Sequence, residues 1–255
     1  MSADPFIRLD SVRKVFRVGG AEFVAVQDVT LDVREGELVS IVGPSGCGKS
    51  TVLSILAELY TADGGTVRIG NDAAPFTPGR DIGMVFQKAL LLKWRTIIDN
   101  VLLPAEILGL PMRESRERAG HLLEMVGITK FADAYPQQLS GGMQQRASIA
   151  RALVHDPRLI LMDEPFGALD ALTRERMNLE LLRIWKESRK TILFVTHGIQ
   201  EAVFLGSQVA VMTPSPARMA AHFDIELPEP RTLDVKTTDS FGEYTRQIYH
   251  LLGMD

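Results

Sequence analysis

The chain has 255 residues, 45% of them hydrophobic and 24% charged, with a net charge of −4 and a single cysteine. The length suffices for a full hydrophobic core, as one large domain or as a domain with a subdomain. The balance of charge offers nucleic acid no electrostatic handle, one cysteine excludes an internal disulfide and a cysteine-based zinc site, and no apolar run is long enough to cross a bilayer.

Residues 1–5 lack the basic and apolar segments of a signal peptide, so a cytosolic compartment is expected, compatible with peripheral attachment to a membrane protein. Residues 6–34 alternate in places, as in Phe23-Val24-Ala25-Val26. With Gly19-Gly20 and Glu35-Gly36 as turns they predict an antiparallel hairpin region. Leu38-Val39-Ser40-Ile41-Val42 reads as a short buried strand, and residues 51–57 as the first turns of a helix. Between them runs Gly43-Pro44-Ser45-Gly46-Cys47-Gly48-Lys49-Ser50-Thr51, which fits the phosphate-binding pattern G-x-x-x-x-G-K-[ST]. A strand, a glycine loop and a helix N-terminus gather backbone N–H groups and partial positive charge around one anion. Lys49 would reach the β- and γ-phosphates and Ser50 would ligate Mg²⁺. Cys47 in this loop has two readings, a thiol whose thiolate the helix N-terminus favours or an inert small residue.

Residues 66–69 and 82–86 predict further strands. From residue 89 to 155 strand signals vanish, and residues 102–108, 116–126 and 143–154 carry helical spacing, so a helical insertion is expected. Leu139-Ser140-Gly141-Gly142-Met143-Gln144-Gln145-Arg146 precedes the last of these helices. It reads either as a second anion nest at a helix N-terminus or as simple capping by Ser140. Apolar runs return at residues 159–162, 191–195 and 209–212, as expected of strands buried in a parallel sheet, with a crossover helix over residues 172–187. The first of these runs ends in Asp163-Glu164. Carboxylates at the C-terminal end of a core strand lie where open α/β sheets bind ligands. Asp163 suits a Mg²⁺ shell and Glu164 suits general-base work on a water. Pro214, Pro216, Pro228 and Pro230 break the tail, and Phe241, Tyr244, Ile248 and Leu251 line one stripe of a terminal helix.

The phosphate loop, the L-S-G-G-x-Q-Q-R segment and the Asp163-Glu164 strand, in this order, resemble the ATP-binding subunits of ABC transporters over about residues 6 to 255. The resemblance implies a P-loop NTPase (RecA-like) α/β core with an N-terminal antiparallel β region and an inserted α-helical subdomain. The expected division is a core of residues 1–88 and 156–220, a helical subdomain of residues 89–155 and a tail of residues 221–255 with a terminal helix. It further implies that Gln87 contacts Mg²⁺ and water, that Gly167-Ala168-Leu169-Asp170 crosses a dimer interface, and that His197 acts on the γ-phosphate. Phe16 matches the aromatic residue that stacks on adenine, an interaction of roughly 1–3 kcal/mol with little base selectivity. Catalysis is thus expected from Glu164, His197, Gln87 and Lys49. Nucleotide binding is expected from Phe16, the loop from Gly43 to Thr51, and Ser140, Gly141, Gly142 and Gln144. Mg²⁺ would be held by Ser50, Gln87 and Asp163.

Leu91-Leu92-Lys93-Trp94-Arg95-Thr96, the run from Thr196 to Leu205 and the proline-broken tail are similar to the nitrate, sulfonate and taurine importer branch. Five positions depart from that pattern: Lys93 for proline, Gly198 for aspartate, Glu58 for glycine, and Ser207-Gln208 for Asp-Arg. The resemblance implies ATP and Mg²⁺ as cofactors, a second copy paired head to tail, separate permease subunits, and a periplasmic or extracellular solute-binding protein. It implies a peripheral place on the cytoplasmic face of the inner (plasma) membrane, and no nucleic-acid partner. Lipid or lipoprotein export, or a soluble ATPase of the same superfamily, are the alternatives. Against the soluble one stand the short spacing between Lys49 and Asp163, the lack of sustained heptads and the single ATPase unit. Leu90, Leu91, Leu92 and Trp94 have two readings, core of the insertion or lining of a groove that receives a helix of the permease.

Overall fold

The computed structural model describes residues 4–70, 75–167 and 169–253. In chain order, β1 (Ile7–Val18) and β2 (Ala21–Val33) form an antiparallel hairpin, turned by Gly19-Gly20 at positive φ. The five residues of β3 (Leu38–Val42) are all buried, and α1 (Lys49–Leu56) follows the phosphate loop. β4 (Gly64–Ile69) pairs antiparallel with β1, which completes a three-stranded sheet in the order β2-β1-β4. After the short helix α2 (Pro78–Asp81) comes β5 (Ile82–Val85). The helices α3 (Ile97–Ile107), α4 (Met112–Met125) and α5 (Gly141–Leu153) fill the expected helical stretch. β6 (Leu159–Asp163) is paired parallel with β5, and α6 (Ala171–Ser188) is the expected long crossover helix. β7 (Thr191–Thr196), α7 (Ile199–Leu205), β8 (Gln208–Met212), β9 (Met219–Asp224) and α8 (Asp239–Leu251) end the chain.

The chain divides into two compact units, Met1–Phe76 with Thr191–Asp255, and Thr77–Lys190. In the first, β3 lies between β7 and β8, parallel to both, and β9 is antiparallel to β8. Every residue of β3, β7 and β8 is buried, which is why their sequences are dominated by apolar residues, with Ser40, Thr191, Thr196 and Gln208 as the polar members. The register pairs Val42 with Thr196, so the phosphate loop and His197 leave the C-terminal ends of neighbouring strands. In the second unit, α3, α4 and α5 pack on one another and α5 packs on β5. Gly83 is required there, because a Cβ would overlap the carbonyl of Ala152 on α5.

Three helices begin earlier than their spacing suggests. α3 starts at Ile97, capped by Thr96, whose hydroxyl accepts from the Asp99 amide at 3.3 Å. α5 starts at Gly141, since the Ser140 hydroxyl accepts from the Met143 amide at 3.4 Å and the two glycines are carried into the first turn. α4 starts at Met112, directly after Pro111. Among the described residues no helix is long and apolar enough to cross a membrane.

Candidate functional site

In the first unit the phosphate loop is bent by Gly46 at φ 75° and Gly48 at φ 110°. A Cβ on Gly48 would lie 2.7 Å from the carbonyl oxygen of Ala25, so β2 closes over the loop and only glycine fits. Lys49 is 4% exposed, and its ammonium donates to the carbonyls of Gly43 at 2.8 Å and Pro44 at 2.9 Å. These bonds hold the cation inside the curl of the loop at the N-terminus of α1, where the helix dipole also favours an anion. Ser45, Gly46 and Ser50 are exposed, while Thr51 is half-buried. The Cys47 sulfur is buried, 4.0 Å from the Lys49 ammonium and turned towards Gly43, so this residue serves the loop through its backbone and by packing beneath it. A curl of amides with an embedded ammonium fits a nucleotide polyphosphate, and an exposed serine hydroxyl beside it fits a hard oxygen-seeking cation.

The hairpin that covers Gly48 also carries Phe16, opposite Phe23 in the β1–β2 register. Phe16 meets Tyr60 edge to face, with ring centroids 5.3 Å apart, and the Lys14 ammonium stands 5.6 Å from its ring centre. Asp63 ties this corner together, accepting from the Val15 amide at 2.7 Å and from Lys14 at 3.2 Å. These two donors hold the Asp63 carboxyl below the usual carboxylate range. His197 is exposed at the end of β7. Thr196 beside it accepts from the Gly198 amide at 2.9 Å and donates to Glu201 at 2.5 Å, which fixes the turn into α7.

In the second unit β5 and β6 end side by side, Val85 in register with Met162. Gln87 lies just past the end of one strand, while Asp163 ends the other and Glu164 follows it. Glu164 has φ 44°, a left-handed backbone strained for a residue with a Cβ, as is common at functional positions. A methyl group on Gly167 would lie 3.6 Å from both Gln87 Nε2 and Glu164 Oε2, so these two side chains converge on one glycine. Ala168 lies outside the described residues. Asp170 caps α6, and bonds from Thr173 hold its carboxyl below the usual range. Arg174 secures the loop between them by donating to the Leu169 carbonyl at 2.9 Å.

Ser140, Gly141, Gly142 and Gln144 line a cleft of about 970 Å³, together with Gln87, Leu169 and Asp170. Ser140 and Gly141 are exposed at the N-terminus of α5. The Gln144 side chain is turned to its own approach loop, donating to the carbonyls of Pro136 at 2.9 Å and Leu139 at 3.1 Å.

Three residues to which the sequence assigned no role organise this unit, Gln145 from within the L-S-G-G-x-Q-Q-R segment and two from outside any motif. Gln145 donates to the Phe86 carbonyl at 3.0 Å. Arg151 donates to Ala89 at 2.7 Å and to Leu90 at 2.8 Å, and burial pushes its guanidinium below the usual range. Asn100, fully buried, accepts from the Leu92 amide at 2.6 Å and donates to the carbonyls of Leu92, Arg95 and Thr96. Each acts through a side-chain bond to backbone, a contact that leaves no periodicity in the sequence.

The family model described as ABC transporter matches residues 26–167. An uncharacterized ABC transporter ATP-binding protein of Methanocaldococcus jannaschii is 43% identical, covering 96% of this chain and 91% of its own. A taurine import ATP-binding protein of Rhizobium johnstonii is 45% identical, covering 89% and 88%. Among solved structures, a dimeric post-hydrolysis state of an ATP-binding cassette bound to ADP and Pi superposes with a TM-score of 0.75 at 35% identity, over 86% of this chain and 99% of that one. The fold alone is shared with a transporter component of Clostridium perfringens, TM-score 0.77 at 23% identity over 97% and 95% of the two chains. The matched segment holds the phosphate loop, Gln87, the Ser140 segment and Asp163-Glu164, and with it the chain belongs to the ABC transporter family, as an ATP-binding cassette of α/β fold.

Proposed function

We propose that this chain is the ATP-hydrolysing subunit of an importer for a small anionic or zwitterionic solute of the taurine, sulfonate or nitrate class. It works on the cytoplasmic face of the plasma membrane as a pair of copies bound to separate permease subunits, which a solute-binding protein supplies. The importer assignment draws on the relatives named as taurine import proteins and on the sequence segments similar to that branch.

The observation that carries the catalytic part is the cleft beneath Ser140. It gathers Ser140, Gly142, Gln87 and Asp170 around a helix N-terminus. An exposed helix N-terminus with a serine hydroxyl fits the phosphate end of a nucleotide held by the phosphate loop of a second copy. The dimeric cassette among the solved relatives supports such pairing. The bound nucleotide then rests on Phe16 at its base and on the loop from Gly43 to Thr51 at its phosphates. Glu164 takes a proton from water as the water oxygen attacks the γ-phosphorus. The bond from that phosphorus to the bridging oxygen breaks, and ADP leaves with the electron pair. Lys49 and His197 stabilise the charge on the transferred group, and Gln87 orients the water. Ser50, Gln87 and Asp163 would hold Mg²⁺, which would neutralise phosphate charge.

Two variants test this together. Glu164→Gln is expected to bind MgATP, to lose turnover by at least a hundredfold, the order that a general base contributes, and to elute as an ATP-dependent dimer. Ser140→Arg and Lys49→Ala are each expected to be inactive alone and to regain partial activity when mixed, since one hybrid site then has both good halves. Activity in Ser140→Arg alone, independent of protein concentration, would mean a self-sufficient monomer and end the proposal.

A further inference from the structure

We propose that Gln145 and Arg151 of α5 form a clasp on both flanks of Gln87, so that movement of the Ser140 end of the helix is delivered to the Gln87 side chain. The inference rests on the reading above, in which Ser140 meets a nucleotide held by the partner copy and Gln87 takes part in turnover.

The clasp is defined by three hydrogen bonds. Gln145, 4% exposed in the second turn of α5, donates to the carbonyl of Phe86, the residue before Gln87. Six positions on, roughly 9 Å along the axis, Arg151 donates to the carbonyls of Ala89 and Leu90. Only Gln87 and Lys88 lie between the gripped carbonyls, and both side chains are exposed. The backbone is therefore anchored on either side of Gln87 while the side chain stays accessible.

The other end of the helix is secured as firmly. Gln144 binds the carbonyls of Pro136 and Leu139, which fixes the approach to Ser140 to the first turn of α5. Gly83 brings the Ala152 carbonyl of α5 against β5, the strand that leads into Gln87. A packed helix with both ends bonded moves as one body, because interiors are close-packed and transmit displacement. Leu90 has φ 46°, so the carbonyl that Arg151 holds belongs to a residue in the left-handed region. A buried guanidinium that grips carbonyls costs desolvation that an apolar side chain of similar size would avoid. That cost is consistent with a residue retained to hold this loop.

The test uses the full chain with Gln145→Met, Arg151→Met and Arg151→Lys. Methionine keeps the length of glutamine and the apolar stem of arginine, and loses the donors of both. Lysine keeps the charge and can serve one carbonyl, not both in fork geometry. Expected are unchanged affinity for MgATP, little change in KM, and a fall in kcat of roughly ten- to hundredfold, the scale of an ångström of misplacement, with Arg151→Lys recovering part of it. In the Glu164→Gln background, ATP is expected to slow amide hydrogen exchange over residues 86–92. The methionine substitutions should abolish that slowing and leave the slowing over residues 43–51 intact. Parental kcat and parental slowing over residues 86–92 in folded variants would overturn the clasp alone. A kcat loss that comes with weakened nucleotide binding and unchanged slowing over residues 86–92 would equally overturn it. A parent chain that fails to turn over MgATP would overturn the proposed function, and the clasp with it.

Discussion

Glu58 follows α1 with φ 55°, in the region where L residues are crowded and glycine is at ease. The importer pattern that the sequence resembles leads one to expect glycine there, and the backbone supplies the reason. The left-handed conformation costs roughly 1–2 kcal/mol with a Cβ, while glycine gives back roughly 0.5–1 kcal/mol through the entropy of the unfolded chain. Glu58→Gly is thus expected to raise stability by up to about 1 kcal/mol, a shift of roughly 2–4 °C in the melting midpoint of a chain this size. A midpoint that falls would show that the Glu58 side chain makes a compensating contact. Gly198 is a departure of another kind. It stands at the N-cap of α7 without a capping side chain, and its own amide is instead bonded by the Thr196 hydroxyl. Since Thr196 also holds Glu201, and a Cβ on Gly198 would lie 3.7 Å from Glu201 Oε2, an aspartate here would bring a second carboxylate close to the first.

At the scale of elements, the segment after Gln87 depends on Asn100. This side chain satisfies one amide and three carbonyls of residues 92–96 from a fully buried position on α3. Asn100→Ala takes this partner from the Leu92 amide and the Arg95 carbonyl, whereas the Leu92 and Thr96 carbonyls keep the backbone amides of Arg95 and Asn100, and buried orphaned groups cost roughly 1–3 kcal/mol each. Chemical denaturation is expected to show a loss of about 3 kcal/mol, with Asn100→Asp rescuing only the bond to the Leu92 amide. A loss under about 1 kcal/mol would mean that the segment rearranges freely. Legibility differed among elements for physical reasons. β3, β6, β7 and β8 were evident because near-complete burial makes their sequences predominantly apolar. β9 was not, because it alternates between exposed and half-buried positions in a tail dominated by prolines. α7 was hidden because its seven residues, nearly all buried, give no polar face to read. The site motifs were legible because phosphate chemistry demands fixed residue types at fixed spacing. Arg151 and Asn100 were not, nor was the contact that Gln145 makes from within its motif, since a bond to a backbone carbonyl makes no demand on the residue type at the other end.

For the whole molecule the outward-facing residues matter most. Trp94 is 74% exposed and Leu90 57%, while Leu91 and Leu92 are half-buried, so the reading of all four as plain core fails for the two largest exposures. Ile107, at the end of α3, is 75% exposed, and it lines a second cleft with Leu90 and Leu103. An indole standing in solvent adds little to the fold, and large exposed apolar groups grouped together mark contact surfaces. Trp94→Ala is expected to leave the melting midpoint and basal ATPase activity near the parental values and to weaken co-purification with the permease and solute uptake. Earlier melting with unaltered uptake in the folded fraction would return Trp94 to a role in packing.

The burial of Cys47 has a practical side. The chain owns one thiol, and that thiol is sunk beneath the phosphate loop with 1% of its surface exposed. The rest of the surface is therefore chemically silent toward maleimides, spin labels and mercurials. A cysteine introduced at any exposed position becomes a nearly unique address for a dye. The closing of two copies on a nucleotide can then be followed by distance, in a protein whose native reporter stays out of the way.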